Sequence, residues 1–340
     1  MGAKNIMKAI GGRLARSQEA YLVVLIVAYA LIVNSINHSF LTVENILDIL
    51  KSSSIMGTMA LGVFVVMLSG GIDISFTAIA TVASFVTVKI LLAVPGSLPV
   101  AFLIAAAIGI ILGCLNAVIV HFCRMPTLIA TLGTSSIIHG AFLSLAAVPY
   151  IYTVPKYFYA FGRTNILSWR VGSGTLVGIS AMTVTMLAIA LVTWIILRYT
   201  TLGRGIYALG GNAEAAKRAG LNIAGIQFFI YAFIGLMSGL AAVQYVSLVR
   251  LVHPYNLMEI MLDVIAAVVL GGASLTGGRG SVLGTLLGVW MIYLIRNSLV
   301  LMKIPSYWDS VIVGLVIVVS TGINAYGRVL SRAGGRALET

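Results

Sequence analysis

The feature that most constrains this chain is a series of long apolar runs that recurs along almost the whole sequence. Read between turn-forming residues, they give ten approximate spans: 20–36, 55–69, 74–94, 99–121, 127–147, 175–197, 226–247, 257–271, 280–300 and 308–326. A helical run of roughly 17–25 apolar residues matches the hydrocarbon thickness of a bilayer, whereas barrel strands would alternate apolar and polar residues. The pattern therefore predicts an all-α integral membrane protein with about ten transmembrane helices.

The composition excludes an ordinary soluble domain. Only 9% of the residues are charged and 60% are hydrophobic, whereas soluble domains carry about 25% charged residues. The net charge of +12 could suggest a nucleic-acid partner, but we expect basic cytoplasmic loops beside anionic lipid instead, and no nucleic acid. Cys114 and Cys123 lie in or beside one apolar run, so we expect no disulfide, and no Cys/His spacing indicates a metal site.

The distribution of basic residues indicates the orientation. With the N-terminus inside, 13 of the 21 lysines and arginines fall on the cytoplasmic side: Lys4, Lys8, Arg13, Arg16, Arg124, Arg198, Arg204, Lys217, Arg218, Arg279, Arg328, Arg332 and Arg336. This excess predicts that both termini are cytoplasmic. We therefore divide the chain into a cytoplasmic N-terminal segment (1–19), a transmembrane domain (20–326) and a cytoplasmic tail (327–340).

Two longer loops divide the spans into two five-helix halves. The segment 148–174 lies outside in this topology, and the more polar segment 198–225 lies inside. The halves share a faint echo, since VFVVMLSGGIDIS (Val63–Ser75) resembles VIAAVVLGGASLT (Val264–Thr276). Repeated halves in transporters usually place the pathway at their interface, although two chance Gly-Gly breaks would look the same.

The inside segment carries the signals of a short helix at Ala213–Ala219. Asn212 suits the N-cap, and Glu214 suits the positive end of the helix dipole. Gly220 can adopt the left-handed conformation that ends a helix. So short a helix is marginal alone in water. It needs the membrane helices or another protein as a partner, unless it is simply a well-capped loop.

Polar residues within apolar runs are candidates for a translocation pathway, because burying them in lipid is costly. The candidates are Asp73, Asn116, Gln244, Asp263 and Asn297. Each has a structural alternative: the amides could bond across helices, and the carboxylates could cap helices or pair with basic groups. For Asp73 we expect an N-cap of the helix that follows Gly71.

Three pairs of glycines are spaced as GxxxG: Gly109 and Gly113, Gly235 and Gly239, and Gly284 and Gly288. Small residues at this spacing let helix backbones approach closely in lipid. We therefore expect these glycines to pack helices together and not to contact a ligand.

The inside segment also carries a resemblance. It is similar to the cytoplasmic loop of simple-sugar (ribose/galactoside-type) permease subunits of bacterial ABC importers, where GR…YAxGGNxxAAxxxGI is typical. The matching residues are Gly203, Arg204, Tyr207, Ala208, Gly210, Gly211, Asn212, Ala215, Ala216 and Gly220.

Three further stretches resemble the same family in order along the chain. The sequence GGIDIS at 70–75 resembles the family's GGIDLS, although Phe76 and Thr77 replace the usual Val-Gly that follows. Pro126–Thr134 resembles its TLGT segment, and Asp263–Gly288 follows its long glycine-rich run, with Met261 where the family usually has Glu.

The resemblance implies the permease subunit of an ATP-driven importer for a pentose or hexose, in the bacterial inner membrane. The implied partners are a second permease subunit, an extracytoplasmic sugar-binding protein and an ATPase subunit, which would bind the ATP and Mg while this chain needs no cofactor. The residues implied to couple to the ATPase are Arg204, Gly210, Gly211, Asn212, Glu214, Ala215, Ala216 and Gly220.

Other functions were weighed against this one. Related ABC permeases carry nucleosides, branched-chain amino acids or sugar-like signal molecules. An ion-coupled carrier usually needs more ionisable groups within its helices. An enzyme is not expected, because His38, His121, His139 and His253 are dispersed and no catalytic grouping is evident.

Overall fold

The computed structural model describes residues 18–145, 150–172, 174, 176–253, 255–315, 318 and 322. The tail (327–340), nearly all of the N-terminal segment (1–19) and nine of the nineteen residues of the last expected span (308–326) lie outside the described residues. The sidedness of the two termini therefore stays a prediction.

The described elements are α1 (Gln18–Ile36), α2 (Val43–Leu68), α3 (Phe76–Ala93), α4 (Leu98–Phe122), α5 (Thr127–Leu145), α6 (Lys156–Arg163), β1 (Asn165–Arg170), β2 (Leu176–Ser180), α7 (Ala181–Tyr199), α8 (Thr201–Gly211), α9 (Ala213–Arg218), α10 (Ile223–Val249), α11 (Asn256–Glu259), α12 (Met261–Leu270) and α13 (Val282–Leu301). A 3-10 turn, Ser306–Trp308, follows.

Eight of the described helices are long and apolar enough to cross a membrane: α1, α2, α3, α4, α5, α7, α10 and α13. The run 257–271, which we counted as a span, is instead two short helices, α11 and α12, that meet at Ile260. The ten residues of α12 reach only about 15 Å, half the thickness of the hydrocarbon core.

The outer segment between α5 and α7 is more ordered than a simple connector. It contains the short helix α6, followed by an antiparallel hairpin in which Trp169 of β1 lies opposite Val177 of β2. The expected span 175–197 therefore begins with a strand and becomes helical only at Ala181. An isolated bridge between Ile151 and Val252 ties the segment to the loop after α10. The helical fold thus includes one small sheet.

The core is centred on α2 and α10, which each carry more buried residues than any other described helix. Every residue of α2 from Ser53 to Leu68 is buried. By contrast, α1, α4 and α5 keep large apolar side chains exposed along much of their length. Such faces suit lipid as their solvent.

Glycines allow the closest helix packing, between α4 and α10. A Cβ on Gly109 would overlap the carbonyl oxygen of Gly235, and a Cβ on Gly239 would overlap that of Ala105. Gly113 faces Tyr231 in the same way. The packing role expected for these two GxxxG pairs is therefore confirmed.

The third GxxxG pair packs α13 against α12. A Cβ on Gly284 would overlap the carbonyl oxygen of Gly271, and one on Gly288 would overlap that of Ala267. The short helix α12 is therefore held directly against the backbone of a full-length helix. This contact fixes where the chain turns after Leu270.

Candidate coupling site and polar interior

The short helix α9 forms where the sequence predicts it. Asn212 is its N-cap, and the Asn212 Oδ1 atom accepts a hydrogen bond from the backbone N–H of Ala215 at 2.9 Å. The last helical residue is Arg218, with Ala219 as the C-cap. Gly220 then adopts a positive φ of 80°, as expected for a glycine that ends a helix.

Most of α9 points away from the rest of the protein. Its only buried side chain is that of Ala216, which is 4% exposed. Glu214 and Arg218 form an ion pair at 3.4 Å, yet both side chains remain 83% exposed. An ion pair so exposed adds little stability. The helix therefore presents a charged, unpartnered surface.

Helix α8 carries α9 and is inserted into the body of the protein. Its N-cap is Thr200, whose hydroxyl accepts from the backbone N–H of Gly203 at 3.1 Å. Burial raises the pKa of the Tyr207 hydroxyl above its ordinary value, so this group stays protonated. The hydroxyl donates to the carbonyl oxygen of Gly280 at 3.1 Å.

The end of α8 lies where two interruptions of the helical body meet. We call residues 69–75, between α2 and α3, the first break, and residues 271–281, between α12 and α13, the second break. A Cβ on Gly210 would overlap the carbonyl oxygen of Leu68 and lie 2.6 Å from the backbone nitrogen of Gly278. That same N–H of Gly278 donates to the Leu68 carbonyl at 2.8 Å. The three segments thus join backbone to backbone.

The first break buries a carboxylate. Asp73 is fully buried, and its Oδ1 accepts from the backbone N–H and from the hydroxyl of Ser75, both at 2.7 Å. Ser75 is the N-cap of α3, so the N-cap expected at Asp73 is wrong by two residues. Asn116 of α4 donates to the Ser75 hydroxyl at 2.7 Å. Two pathway candidates, Asp73 and Asn116, are thus brought together through a shared serine.

The two other amide candidates bond across helices. The buried Gln244 of α10 accepts from the Thr58 hydroxyl of α2 at 2.9 Å. Asn297 of α13 and Asn45 of α2 exchange reciprocal amide hydrogen bonds at 2.8 and 2.9 Å. Both arrangements match the structural alternative that the sequence left open. Gln244 Nε2 stays buried without a hydrogen-bond partner.

Asp263, the remaining candidate, belongs to a charged group of three. Arg296 of α13 pairs with Asp263 through Nη2 and with Asp309 through Nε, the latter at 3.0 Å. All three side chains are between 21 and 27% exposed. The group links α12, α13 and the helical residues from Asp309 onward. It therefore ties the residues from Asp309 onward to α12 and α13, which the glycine contacts already hold together.

Several of these partners were not singled out from sequence: Asn45, Thr58, Arg296 and Asp309. Each lies at least 13 residues along the chain from the residue that it contacts, so no local pattern identifies the pair. Arg296 and Asp309 did carry a signal, as charged residues within the expected spans 280–300 and 308–326. Such a residue predicts a partner of opposite charge without saying which.

The described structure combines long apolar helices, buried polar groups between them and a charged helix exposed at one end. These features define an integral membrane protein of the permease class. Among the described residues, no cluster of three or more histidine, cysteine or acidic residues could hold a metal ion.

Comparison with known proteins identifies the family. The model described as "Branched-chain amino acid transport system / permease component" matches residues 45–321, which is most of the chain. The chain therefore belongs to this family of ABC transport permeases, and it is not an enzyme.

Curated relatives cover nearly the whole chain. A ribose import permease of Haemophilus influenzae is 34% identical over 93% of this chain and 95% of its own length. Its counterpart in Bacillus subtilis is 36% identical over 85% and 87%, respectively. An autoinducer 2 import permease of Escherichia coli is 31% identical over 83% of this chain and 79% of the relative. No solved structure matches the chain.

Proposed function

We propose that this chain forms the translocation pathway of an ATP-driven importer for a simple sugar, a pentose or hexose, in a bacterial inner membrane. The proposal includes ten apolar segments in two halves of five, in which the short helices α11 and α12 take the place of one full span, and both termini lie in the cytoplasm. Its partners are an ATPase subunit that binds ATP and Mg, an extracytoplasmic sugar-binding protein and a second permease subunit.

The observation that carries the proposal is the exposed helix α9 on its rigid carrier α8. A helix of two turns that keeps its charged side chains in solvent needs a partner surface to be stable. Its carrier meets both breaks of the helical body at Gly210. A partner that moves α9 therefore acts directly on the segments that join the membrane helices.

In this proposal, residues of α8 and α9 couple the permease to the ATPase subunit. Asn212, Ala215, Ala216 and Gly220 shape α9, and Glu214 offers its exposed charge to the ATPase. Gly210 and Gly211 connect α9 to the breaks, while Arg204 lies about two turns before Gly211 on α8. On the opposite side, the sugar-binding protein docks on the ordered segment 150–172 and the loop after α10.

We favour a sugar as the substrate, because this chain is similar over most of its length to the ribose import permeases of Haemophilus influenzae and Bacillus subtilis. A sugar-like signal molecule is the second candidate, because the autoinducer 2 permease is similar to almost the same extent. Hydrogen bonding to hydroxyls along the pathway suits both.

The test is uptake by the reconstituted complex of permease, ATPase and binding protein, assayed across a panel of pentoses, hexoses and autoinducer 2. Uptake should require ATP and should survive collapse of the ion gradient. Uptake without the ATPase would contradict the driven mechanism, and uptake of none of the panel would contradict the substrate assignment alone.

Glu214→Gln tests the coupling role, with Arg218→Gln as its matched control, since each breaks the same exposed ion pair. Because that pair adds little stability, both variants should insert and unfold like the original protein. Only Glu214→Gln should weaken co-purification of the ATPase and reduce uptake. An equal loss in both variants would assign the effect to the ion pair itself.

A further inference from the structure

A cleft of about 660 Å³ opens at the same end of the molecule as α8. It lies between the end of α7, the start of α8 and the start of α13. The polar and aromatic residues that line it are Trp194, Arg198, Arg204, Tyr207 and Ser281. Arg204 also belongs to the coupling set proposed above, whereas Trp194, Arg198 and Ser281 have no role in the proposed sugar transport.

The cleft is basic. Arg198 and Arg204 both line it, both are exposed, and neither forms an ion pair with a carboxylate among the described residues. One acidic group contacts the lining: Glu19 of α1 accepts a hydrogen bond from the Ser281 hydroxyl at 2.7 Å. Arg279, adjacent in sequence to the cleft, is also exposed. The surplus of arginine favours an anionic ligand.

An apolar track leads away from the cleft along α7. Leu187, Leu191 and Ile195 are spaced by four residues, so they share one helix face, and they are 43, 56 and 42% exposed. Trp194 lies at the head of the track, packed edge-on against Tyr199 with ring centroids 5.3 Å apart. Aromatic side chains of this kind concentrate at the boundary between hydrocarbon and headgroups.

We propose that this cleft binds the phosphate headgroup of an anionic phospholipid from the cytoplasmic leaflet. The two guanidinium groups hold the phosphate, which arginine recognises through paired N–H donors. One acyl chain follows the apolar face of α7. Free inorganic phosphate shares the headgroup chemistry but has nothing to place against Leu187, Leu191 and Ile195.

The first experiment measures lipid retained by the purified, full-length protein in detergent, using native mass spectrometry. The probes are dioleoyl phosphatidylglycerol and dioleoyl phosphatidylcholine. Phosphatidylglycerol should be retained preferentially, and Arg198→Gln should weaken its binding about fivefold, in line with the contribution of one basic residue near a membrane surface. The matched control is Arg163→Gln, an exposed arginine on α6 at the other end of the molecule, which should leave retention unchanged.

A second measurement does not depend on the charge variants. The chain has four tryptophans, and replacing Trp169, Trp290 and Trp308 by Phe leaves Trp194 as the only tryptophan. Phosphatidylglycerol with brominated acyl chains should quench Trp194 more than the brominated phosphatidylcholine does, and inorganic phosphate should not reverse the quenching.

The outcomes that overturn the proposal are distinct. Equal retention of the two lipids would show apolar binding without recognition of the headgroup. Equal loss in Arg198→Gln and Arg163→Gln would show non-specific charge attraction. Complete displacement of phosphatidylglycerol by millimolar inorganic phosphate would assign the cleft to the free ion instead. Uptake of sugar plays no part in either readout, so failure here leaves the proposed function standing.

Discussion

The first and second breaks start from the same sequence signature and are stabilised in opposite ways. The first break is buried from Asp73 to Ser75, although Gly70 is exposed. Side chains hold its backbone: the Thr127 hydroxyl accepts from Ile72 N–H at 3.1 Å, and that of Thr131 accepts from Ile74 N–H at 3.3 Å. The second break is partly exposed at Leu275 and Thr276.

The second break is held mainly by its own backbone. Ser274 N–H donates to the carbonyl oxygen of Arg279 at 3.0 Å, and Gly277 N–H donates to that of Ser274 at 3.1 Å. Buried backbone groups must find partners, and a buried segment can recruit them from neighbouring helices. An exposed segment must fold on itself, which requires the positive φ angles of Gly277, Gly278 and Gly280.

The sequence similarity between the two breaks corresponds to a structural similarity, but the structurally equivalent residues are shifted by one position. Gly70 and Gly272 both have positive φ, and each N–H donates to the carbonyl oxygen three residues earlier, as in a glycine-terminated helix. Letter by letter, however, Gly70 aligns with Gly271. The echo therefore reflects two similar helix ends, and the chains diverge immediately after them.

The largest effect is expected at the point where the breaks meet. Gly210→Ala would place a methyl group against the Leu68 carbonyl oxygen. The backbones of α8 and of residue 68 contact both breaks, so neither can move away without displacing a break. We expect a loss of about 3 kcal/mol or more in the free energy of unfolding. Thermal unfolding in detergent measures it, with Gly211→Ala as the control, since nothing lies within 4 Å of a Cβ there. A Gly210→Ala variant as stable as the original protein would contradict the close backbone contact at this junction.

The next effect tests the backbone-held break. Gly277→Ala combines a φ of 84° with a Cβ that would lie 2.7 Å from both Gly210 O and Gly70 N. The strain and the overlap together should cost about 2–3 kcal/mol. Unfolding in denaturant measures this loss; a cost near that of Gly70→Ala would mean that the second break is no more constrained than the first.

A side-chain substitution tests the buried break. Thr131→Val removes the acceptor for the Ile74 N–H and leaves that group unpaired, which should cost about 2 kcal/mol. Thr134→Val is the control, because that hydroxyl bonds only to the Thr131 carbonyl within α5. If both variants unfold at the same temperature, the side-chain brace is unimportant.

The smallest effect is expected for Gly70→Ala. Its φ is 85°, but the nearest atom to an added Cβ is the Thr276 carbonyl oxygen at 3.5 Å, an ordinary contact. Only backbone strain of about 1 kcal/mol remains. The shift in unfolding midpoint should be well below that of Gly277→Ala, and a larger one would reveal a constraint absent from the packing.

What could be predicted from the sequence depended on whether the physics was local. The capped helix α9 was predictable because Asn212, Glu214 and Gly220 act on neighbouring residues. The three GxxxG pairs were also predicted as packing sites, since spacing alone defines such a surface. The count of spans was less secure, because apolar content does not distinguish a full crossing from the two short helices α11 and α12.

The polar interior could not be predicted in the same way. The pairing of Asn297 with Asn45, and of Arg296 with two acids, depends on which helices become neighbours. Which helices become neighbours depends on the packing of all the helices, and it produces no periodic pattern in the sequence. Asp73 shows the limit well, since its sequence position suggested a cap, whereas its carboxylate braces the true cap, Ser75.

The junction at Gly210 has a mechanical consequence. Side chains are the compliant part of a protein, because rotation about their bonds absorbs small displacements. Where α8 meets Leu68 and Gly278, main chain touches main chain with no side chain between them. If the proposed partner displaces α9, we therefore expect both helix breaks to move with it, because no side chain lies between them to absorb the displacement.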